Sequence, residues 1–293
     1  MCGALRGEGQ RGACGAEAGL TVARAALHFW EEPPLSGTAG SGAVFFSHCP
    51  LRCVYCQNAD IAAGKAGIEI DEDRLADICL ELQAQGALNV NFVTPTHYSL
   101  AIMLAVAAAR ERGLFVPVVW NTSGYERVET VRALADTADV WLADFKYADE
   151  WLAQRYSNAP DYPEVALAAI GEMAALGAPA FDEVDGQPRM TKGVIVRHLV
   201  LPGALDQSKR ALEMLFDRFG NDVMYSIMNQ YTPVMAPSAL ERFPELGSRV
   251  PDGEYDQLLD FADSLGIEDY FWQEGPAAQE SFIPEWDGTG VLA

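Results

Sequence analysis

The sequence predicts an α/β fold built as a partial (β/α)6 barrel. Short apolar runs rich in β-branched and aromatic residues recur six times between residues 43 and 228. Each is followed by a stretch of helical periodicity, and polar residues collect just after each run. Alternation of this kind means parallel strands joined by helical crossovers. A run such as Gly193-Val194-Ile195-Val196 suits a strand buried on both faces. Periodicity alone leaves a full eight-fold barrel and a doubly wound sheet open.

In chain order, Ala43–Phe46 is followed by a helix near 71–85, Val90–Val93 by one near 98–112, and Val116–Trp120 by one near 125–135. Val140–Ala143 precedes helices near 149–156 and 162–176. Val194–Leu201 precedes 207–219, and Val223–Met228 precedes a last helix near 253–264. Upstream, Gly12-Ala13-Cys14-Gly15 reads as turns. Leu20–Trp30 reads as a short helix that Glu31-Glu32-Pro33-Pro34 breaks. Residues 178–189 depart from the alternation, and Asp185-Gly186 there marks a hairpin turn. Cys79 shares a helical stripe with Leu75, Ile78 and Leu82, which makes it a core cysteine. Phe271-Trp272 and Trp286 are expected to pack a C-terminal tail across the barrel. The organisation is a barrel domain over 42–266, an N-terminal extension over 1–41 and a tail over 267–293.

Twenty Lys and Arg against 42 Asp and Glu leave a formal charge of −22. Such a surface repels phosphate backbones and anionic lipid, so neither nucleic acid nor a membrane is an expected partner. The longest apolar run, Leu100–Ala109, is about half of what a membrane span needs. The opening Met1-Cys2-Gly3-Ala4-Leu5-Arg6 lacks the apolar stretch of a signal peptide. Six unevenly clustered cysteines then fit a reducing, cytoplasmic setting.

Cys49, Cys53 and Cys56, spaced C-x3-C-x2-C, follow directly on Ala43–Phe46. A loop this short can turn three sulfurs toward one point. That suits three irons of a [4Fe-4S] cubane and leaves the fourth iron open to a ligand from outside the protein. A structural zinc site competes, but its nearest fourth ligand, His48, is adjacent to Cys49, and neighbouring residues seldom point at one metal. A disulfide leaves one of the three thiols over. Cys2 and Cys14 are candidates for half of an auxiliary metal site; two ligands do not hold a cluster.

C-x3-C-x-aromatic-C, with Tyr55 as the aromatic, resembles the radical S-adenosylmethionine (SAM) superfamily. From about residue 10 onward the chain also resembles the pyruvate formate-lyase activating enzyme and its PflX-like relatives. Trp30-Glu31-Glu32-Pro33-Pro34, Ser281-Phe282-Ile283-Pro284 and Asp287-Gly288-Thr289-Gly290 carry that likeness. The resemblance implies a SAM molecule chelating the open iron and its one-electron cleavage to methionine and a 5′-deoxyadenosyl radical that abstracts hydrogen. It further implies an electron donor such as flavodoxin or ferredoxin, and a glycyl-radical enzyme or other protein as the target. The alternative is a non-catalytic iron–sulfur or zinc-binding regulatory protein using the same cysteines without turnover.

The resemblance also implies the SAM contacts. Thr94-Pro95-Thr96 stands where activating enzymes have Gly-Gly-Glu-Pro, whose backbone receives the SAM amino group; a threonine oxygen can still accept from an ammonium. In Asn121-Thr122-Ser123-Gly124, Ser123 matches a SAM-contacting position, and Asn121 replaces a carboxylate associated with a bound cation. Asp144-Phe145-Lys146 resembles Asp-Leu-Lys, whose lysine reaches the SAM carboxylate. Arg197, with Pro202-Gly203 downstream, needs an anionic partner inside a barrel, either the SAM carboxylate or Asp144. Tyr231 takes the place of a histidine offered to the ribose or adenine. His97 opens a helix at the rim, and His28 and His48 read as structural.

Overall fold

The strands set the frame in this computed structural model, which describes residues 4–273 and 283–292. Cys2, Ser281 and Phe282 lie outside the described residues. The chain runs β1 (Leu20–His28), α1 (Pro33–Ser36), β2 (Ser41–Phe46), α2 (Ala59–Ala62), β3 (Ile68–Ile70), α3 (Glu72–Ala84) and β4 (Val90–Val93). It continues with α4 (Ser99–Glu111), β5 (Val118–Thr122), α5 (Val128–Ala133), β6 (Val140–Asp144), α6 (Glu150–Ser157) and α7 (Tyr162–Ala175). It ends with β7 (Ala180–Val184), β8 (Gln187–Leu199), α8 (Leu205–Phe219), β9 (Met224–Met228), α9 (Pro237–Leu240), α10 (Asp252–Leu265) and β10 (Tyr270–Phe271).

The sheet order is β10-β9-β8-β6-β5-β4-β2-β1-β3. Along that order every pairing from β2 to β10 is parallel, while β1 lies antiparallel on β2, β3 antiparallel on β1, and β7, off this path, antiparallel on β8. Six strands (β2, β4, β5, β6, β8 and β9) therefore repeat the β/α unit, with added strands at both edges. This is the partial (β/α)6 barrel the sequence predicts.

Helix starts follow local chemistry. The Asp71 carboxylate accepts from the Arg74 N–H at 2.8 Å and opens α3, and Asp149 does the same for Leu152 at the head of α6. The Asp185-Gly186 turn joins β7 to β8 with φ of 52° and 77°, the left-handed pair that a two-residue hairpin needs.

Leu20–Trp30 departs from expectation: most of it is strand β1, not helix. Ala23, Ala25 and Ala26 favour helix by propensity, but β-branched Thr21 and Val22 and the open edge of β2 offer a paired alternative. Tertiary pairing wins, with His28 opposite Ser41 and Val22 opposite Phe46. The C-terminal segment then closes on β1, where Thr289 C=O accepts from Ala25 N–H at 2.8 Å and Gly288 N–H donates to Ala23 C=O at 3.1 Å. Trp286 packs edge-on to Phe45 with centroids 5.2 Å apart, as expected of the tail. Trp272 does not follow; it is 50% exposed. Cys79 is fully buried, in keeping with its stripe.

Side chains alternate across a strand, and the parallel register shows which share the inner face. Phe45, Val93, Asn121, Leu142, Ile195 and Met224 are one set of bridged partners, and Asp144, Arg197 and Ser226 are another. Trp120, Trp141 and Phe92 face the opposite way, into the layer beneath the helices. At one end α1 stops the barrel, its Leu35 packed among Val119, Val140, Leu142, Met190 and Ile195. That leaves the other end, the C-terminal edge of the strands, as the open one.

Candidate active site at the strand ends

A cavity of about 230 Å³ opens at that edge. Residues following β2, β4, β5, β6 and β9, together with the last turn of β8, line it. All eight residues singled out for the cluster and SAM reach it: Cys49, Cys53, Cys56, Thr94, Ser123, Lys146, Arg197 and Tyr231. Cys14 does not; it is buried elsewhere and accepts from Arg6 Nη2 at 3.2 Å, and its suggested companion Cys2 lies outside the described residues.

The cysteine loop is pinned from both sides. His48 N–H donates to Ile61 C=O at 2.7 Å, and Val54 N–H donates to Tyr156 C=O at 2.9 Å. Burial first, then the Cys53 thiol, pushes the Cys49 thiol up and takes Cys56 to about 12. Among the described residues no three His, Cys, Asp or Glu side chains gather around one metal-ion position. A cubane asks for less, because each thiolate takes a different iron and the sulfurs stand further apart than around one ion.

Backbone strain collects here. Non-glycine residues with positive φ include His48 (72°), Arg52 (47°) and Thr94 (58°), around the cysteine loop and the β4 turn. Unlike Asn or Asp, a β-branched threonine gains nothing locally from this conformation, so surrounding contacts must enforce it at about 1–3 kcal/mol. One such contact is Thr94 N–H donating to Asn121 C=O at 2.9 Å. Gly124, at φ 74°, keeps the β5 turn against β6, since a Cβ there would strike the Asp144 carbonyl.

The cavity wall carries a largely buried ion network. Lys146 Nζ stands 2.5 Å from Asp144 Oδ2, and Arg197 Nε stands 2.9 Å from Asp144 Oδ1. Arg197 Nη1 reaches Glu31 at 3.3 Å, and its Nη2 donates to Asn121 Oδ1 at 2.6 Å. Glu31 Oε1 also accepts from Asn91 Nδ2 at 3.0 Å. Burial alone would raise the Asp144 carboxyl, but Arg197 and Lys146 overcome it and hold it below the usual range. Burial would likewise lower the Lys146 ammonium, and Asp144 reverses that. Glu31 and Glu32 are raised, by burial first, with Arg197 opposing. Lys146 is thus a largely buried, paired cation rather than a solvated one. Arg197 pairs with Asp144, one of the two alternatives its sequence context offered, and also with Glu31.

Tyr231 is also partly committed, because its hydroxyl donates to Leu246 C=O at 2.5 Å. What it offers the cavity is the ring, edge-on to Tyr55 at 6.3 Å. His97 is half-buried off the cavity against Ser47 C=O at 2.8 Å, with its pKa lowered to about 4, by burial first. His28 lines the cavity, edge-on to Phe45, and burial lowers it to about 4 as well.

Sequence reasoning missed Glu31 as a wall of the cavity and Glu126 beneath the rim. Glu126 is 1% exposed. Its Oε1 accepts from Thr122 Oγ1 at 2.5 Å and from Thr96 Oγ1, clasping the turns after β4 and β5. Burial raises its pKa, although the threonine hydrogen bonds oppose that. A raised folded-state value means that this carboxyl favours folding most below the ordinary value of about 4.3, and the contribution fades as pH rises through the folded value. Glu126→Gln, close to isosteric with the protonated acid, should stay near parental stability and flatten the alkaline decline in urea melts. Glu126→Ala should lose about 1–3 kcal/mol by stranding two hydroxyl donors. Equal losses for the two variants would show that the ionised carboxylate is the native form.

A parallel barrel with a thiol-lined cavity and a lysine–aspartate–arginine network at its strand ends has the layout of a barrel enzyme whose site sits at the C-terminal edge of its strands. Residues 43–215 match the model of the Radical SAM superfamily. The chain belongs to that superfamily and is an enzyme of its class, whose members use a [4Fe-4S] cluster and SAM. An uncharacterized protein of Methanocaldococcus jannaschii is 26% identical over 253 residues, covering 83% of this chain and 67% of that protein. Streptococcus suis SuiB bound to its precursor peptide SuiA superposes with a TM-score of 0.53 at 13% identity, over 78% of this chain and 46% of SuiB. This chain thus matches less than half of SuiB, and the likeness is one of fold. A domain of pyruvate-formate lyase-activating enzyme from Bacteroides vulgatus gives a TM-score of 0.43 at 13% identity, over 63% of this chain and 98% of that domain. Among the described residues, no helix is long and apolar enough to cross a membrane.

By donor chemistry the residues fit the cofactors of the class. Three thiols on one loop open into the same cavity as a lysine braced by an aspartate.

Proposed function

We propose that this protein holds a [4Fe-4S] cluster through Cys49, Cys53 and Cys56 and binds SAM across Thr94, Ser123, Lys146 and Tyr231, with Arg197 bracing the site. When bound, the pair supplies one-electron cleavage of SAM and a 5′-deoxyadenosyl radical for hydrogen abstraction. The observation that carries the reading is the convergence of the three thiols and Lys146 on one cavity. Lys146 spends one donor on Asp144 and has two more for a carboxylate. The three nitrogens of Arg197 are directed at Asp144, Glu31 and Asn121, so its part is to hold Asp144 and thereby Lys146 in place. The Tyr231 and Tyr55 rings offer an apolar wall for a flat base. An electron-transfer protein such as flavodoxin or ferredoxin would supply the electron. The glycine of a glycyl-radical enzyme, or another protein substrate, would lose the hydrogen.

The test is anaerobic reconstitution with iron and sulfide, reduction with dithionite and addition of SAM, reading 5′-deoxyadenosine. Iron without 5′-deoxyadenosine would favour a cluster-binding regulator, and one zinc per chain without iron would favour a zinc-binding protein. In the same assay Lys146→Ala should keep its iron and lose about 10- to 100-fold in SAM affinity, the worth of a charged hydrogen bond. Unchanged affinity would remove Lys146 from the carboxylate site.

A further inference from the structure

Behind Cys53 lies a chain of buried hydroxyls. Ser157 Oγ, at the C-terminal end of α6, is 2.9 Å from Cys53 Sγ. Tyr147 Oη is 2.7 Å from Ser157 Oγ and 2.8 Å from Tyr55 Oη. Ser157, Tyr147 and Tyr55 are 4%, 0% and 6% exposed, so bulk water does not compete for these links. Tyr55 also lines the cavity. The chain thus joins the sulfur to the cavity wall.

Counting protons gives the chain a direction. Three hydroxyls bring three protons to three links. With Cys53 as a thiol, its S–H can enter the chain, and the protons can run outward, Tyr147 donating to Tyr55. An iron-bound sulfur is a thiolate and only accepts. Every proton must then turn toward it: Ser157 to Cys53, Tyr147 to Ser157 and Tyr55 to Tyr147.

We propose that Ser157 is a positioning residue for the cluster: it donates to the Cys53 sulfur and, polarised by Tyr147 and Tyr55, raises the cluster's reduction potential. This rests on the cluster reading above. Reduction adds one negative charge to the cluster, shared with its sulfurs. A donor aimed at a sulfur stabilises the reduced state more than the oxidised one, so the potential rises. In a dry, low-dielectric setting the effect is larger than at a solvated sulfur, and the tyrosines reinforce it by polarising the serine hydroxyl.

The experiment is a redox titration of the reconstituted cluster followed by electron paramagnetic resonance, with iron and sulfide measured alongside. Ser157→Ala should lower the midpoint potential at unchanged iron content, Tyr147→Phe should lower it by less, and Ser157→Thr should restore it. If Ser157→Ala takes up no iron, Tyr147→Phe decides alone, since it keeps both the ring packing and the serine. Iron-loaded Ser157→Ala or Tyr147→Phe protein with the parental potential overturns the inference. The two readings fail separately: a parental chain that binds no iron sinks the cluster assignment, whereas full iron with unmoved potentials sinks only the role of Ser157.

Discussion

Replacing Cys53 with alanine is expected to yield a folded chain that retains almost no [4Fe-4S] cluster and releases no 5′-deoxyadenosine when reduced with SAM. Cys53 is the middle thiol of the loop, close enough to both neighbours to raise their pKa values. Removing it leaves two ligands for a cluster that needs three from the protein. The fold should survive, because the loop is pinned by main-chain hydrogen bonds from Val54 and His48 rather than by the sulfur. Cys79→Ala is the matched control. That thiol is fully buried on α3, and burial takes it to about 12, so its loss should cost stability and leave the iron in place. Iron and sulfide assays, the visible absorption band and chromatography of 5′-deoxyadenosine check both variants. Full iron and an undiminished yield in the Cys53 variant would remove that residue from the ligand set.

The ease of that prediction reflects how locally the site is encoded. Three cysteines within eight residues, and a lysine two residues beyond Asp144, are contacts written within short stretches of chain. So is the strand–helix alternation, because each unit announces itself by its own apolar run. What stayed hidden is written across distance. Glu31 and Arg197 are 166 positions apart, and Ser157 and Cys53 are 104 apart. Nothing in Glu31-Glu32-Pro33-Pro34 says that the first carboxylate enters a barrel. One cue was available: a lone polar residue inside an apolar strand, as in Val90-Asn91-Phe92 or Trp120-Asn121, marks a buried partner waiting for it. The misreading of β1 has a different cause. Its alanines suit a helix, and only the unpaired edge of β2, which no local pattern reveals, makes it a strand.

The same long-range network predicts the largest stability effect. Arg197→Leu should destabilise the cofactor-free chain by about 3–5 kcal/mol, the usual cost of stranding buried charge by removing one partner. Arg197 is the hub: it pairs with Asp144 and Glu31 and donates to Asn121, and Glu32 lies within its field. Without it, Lys146 faces three buried carboxyls. The loss should also depend on pH. Glu31 and Glu32 already have raised pKa values, by burial, while Arg197 holds them down. Deleting the arginine raises them further, and protonation then relieves the stranded charge. Groups with raised folded-state values contribute most at low pH and lose that contribution as pH rises through them. The deficit of the variant should therefore be smaller near pH 6 than near pH 8.5 in guanidinium unfolding of the apo chain. Adding Glu31→Gln should recover part of it, because one stranded carboxylate is gone while the hydrogen bonds from Asn91 and Asn121 still find an amide oxygen. A loss below about 1 kcal/mol, typical of an exposed ion pair, would mean that water reaches the network. A loss of the same size at both pH values would mean that Glu31 and Glu32 do not take up protons when the arginine is removed.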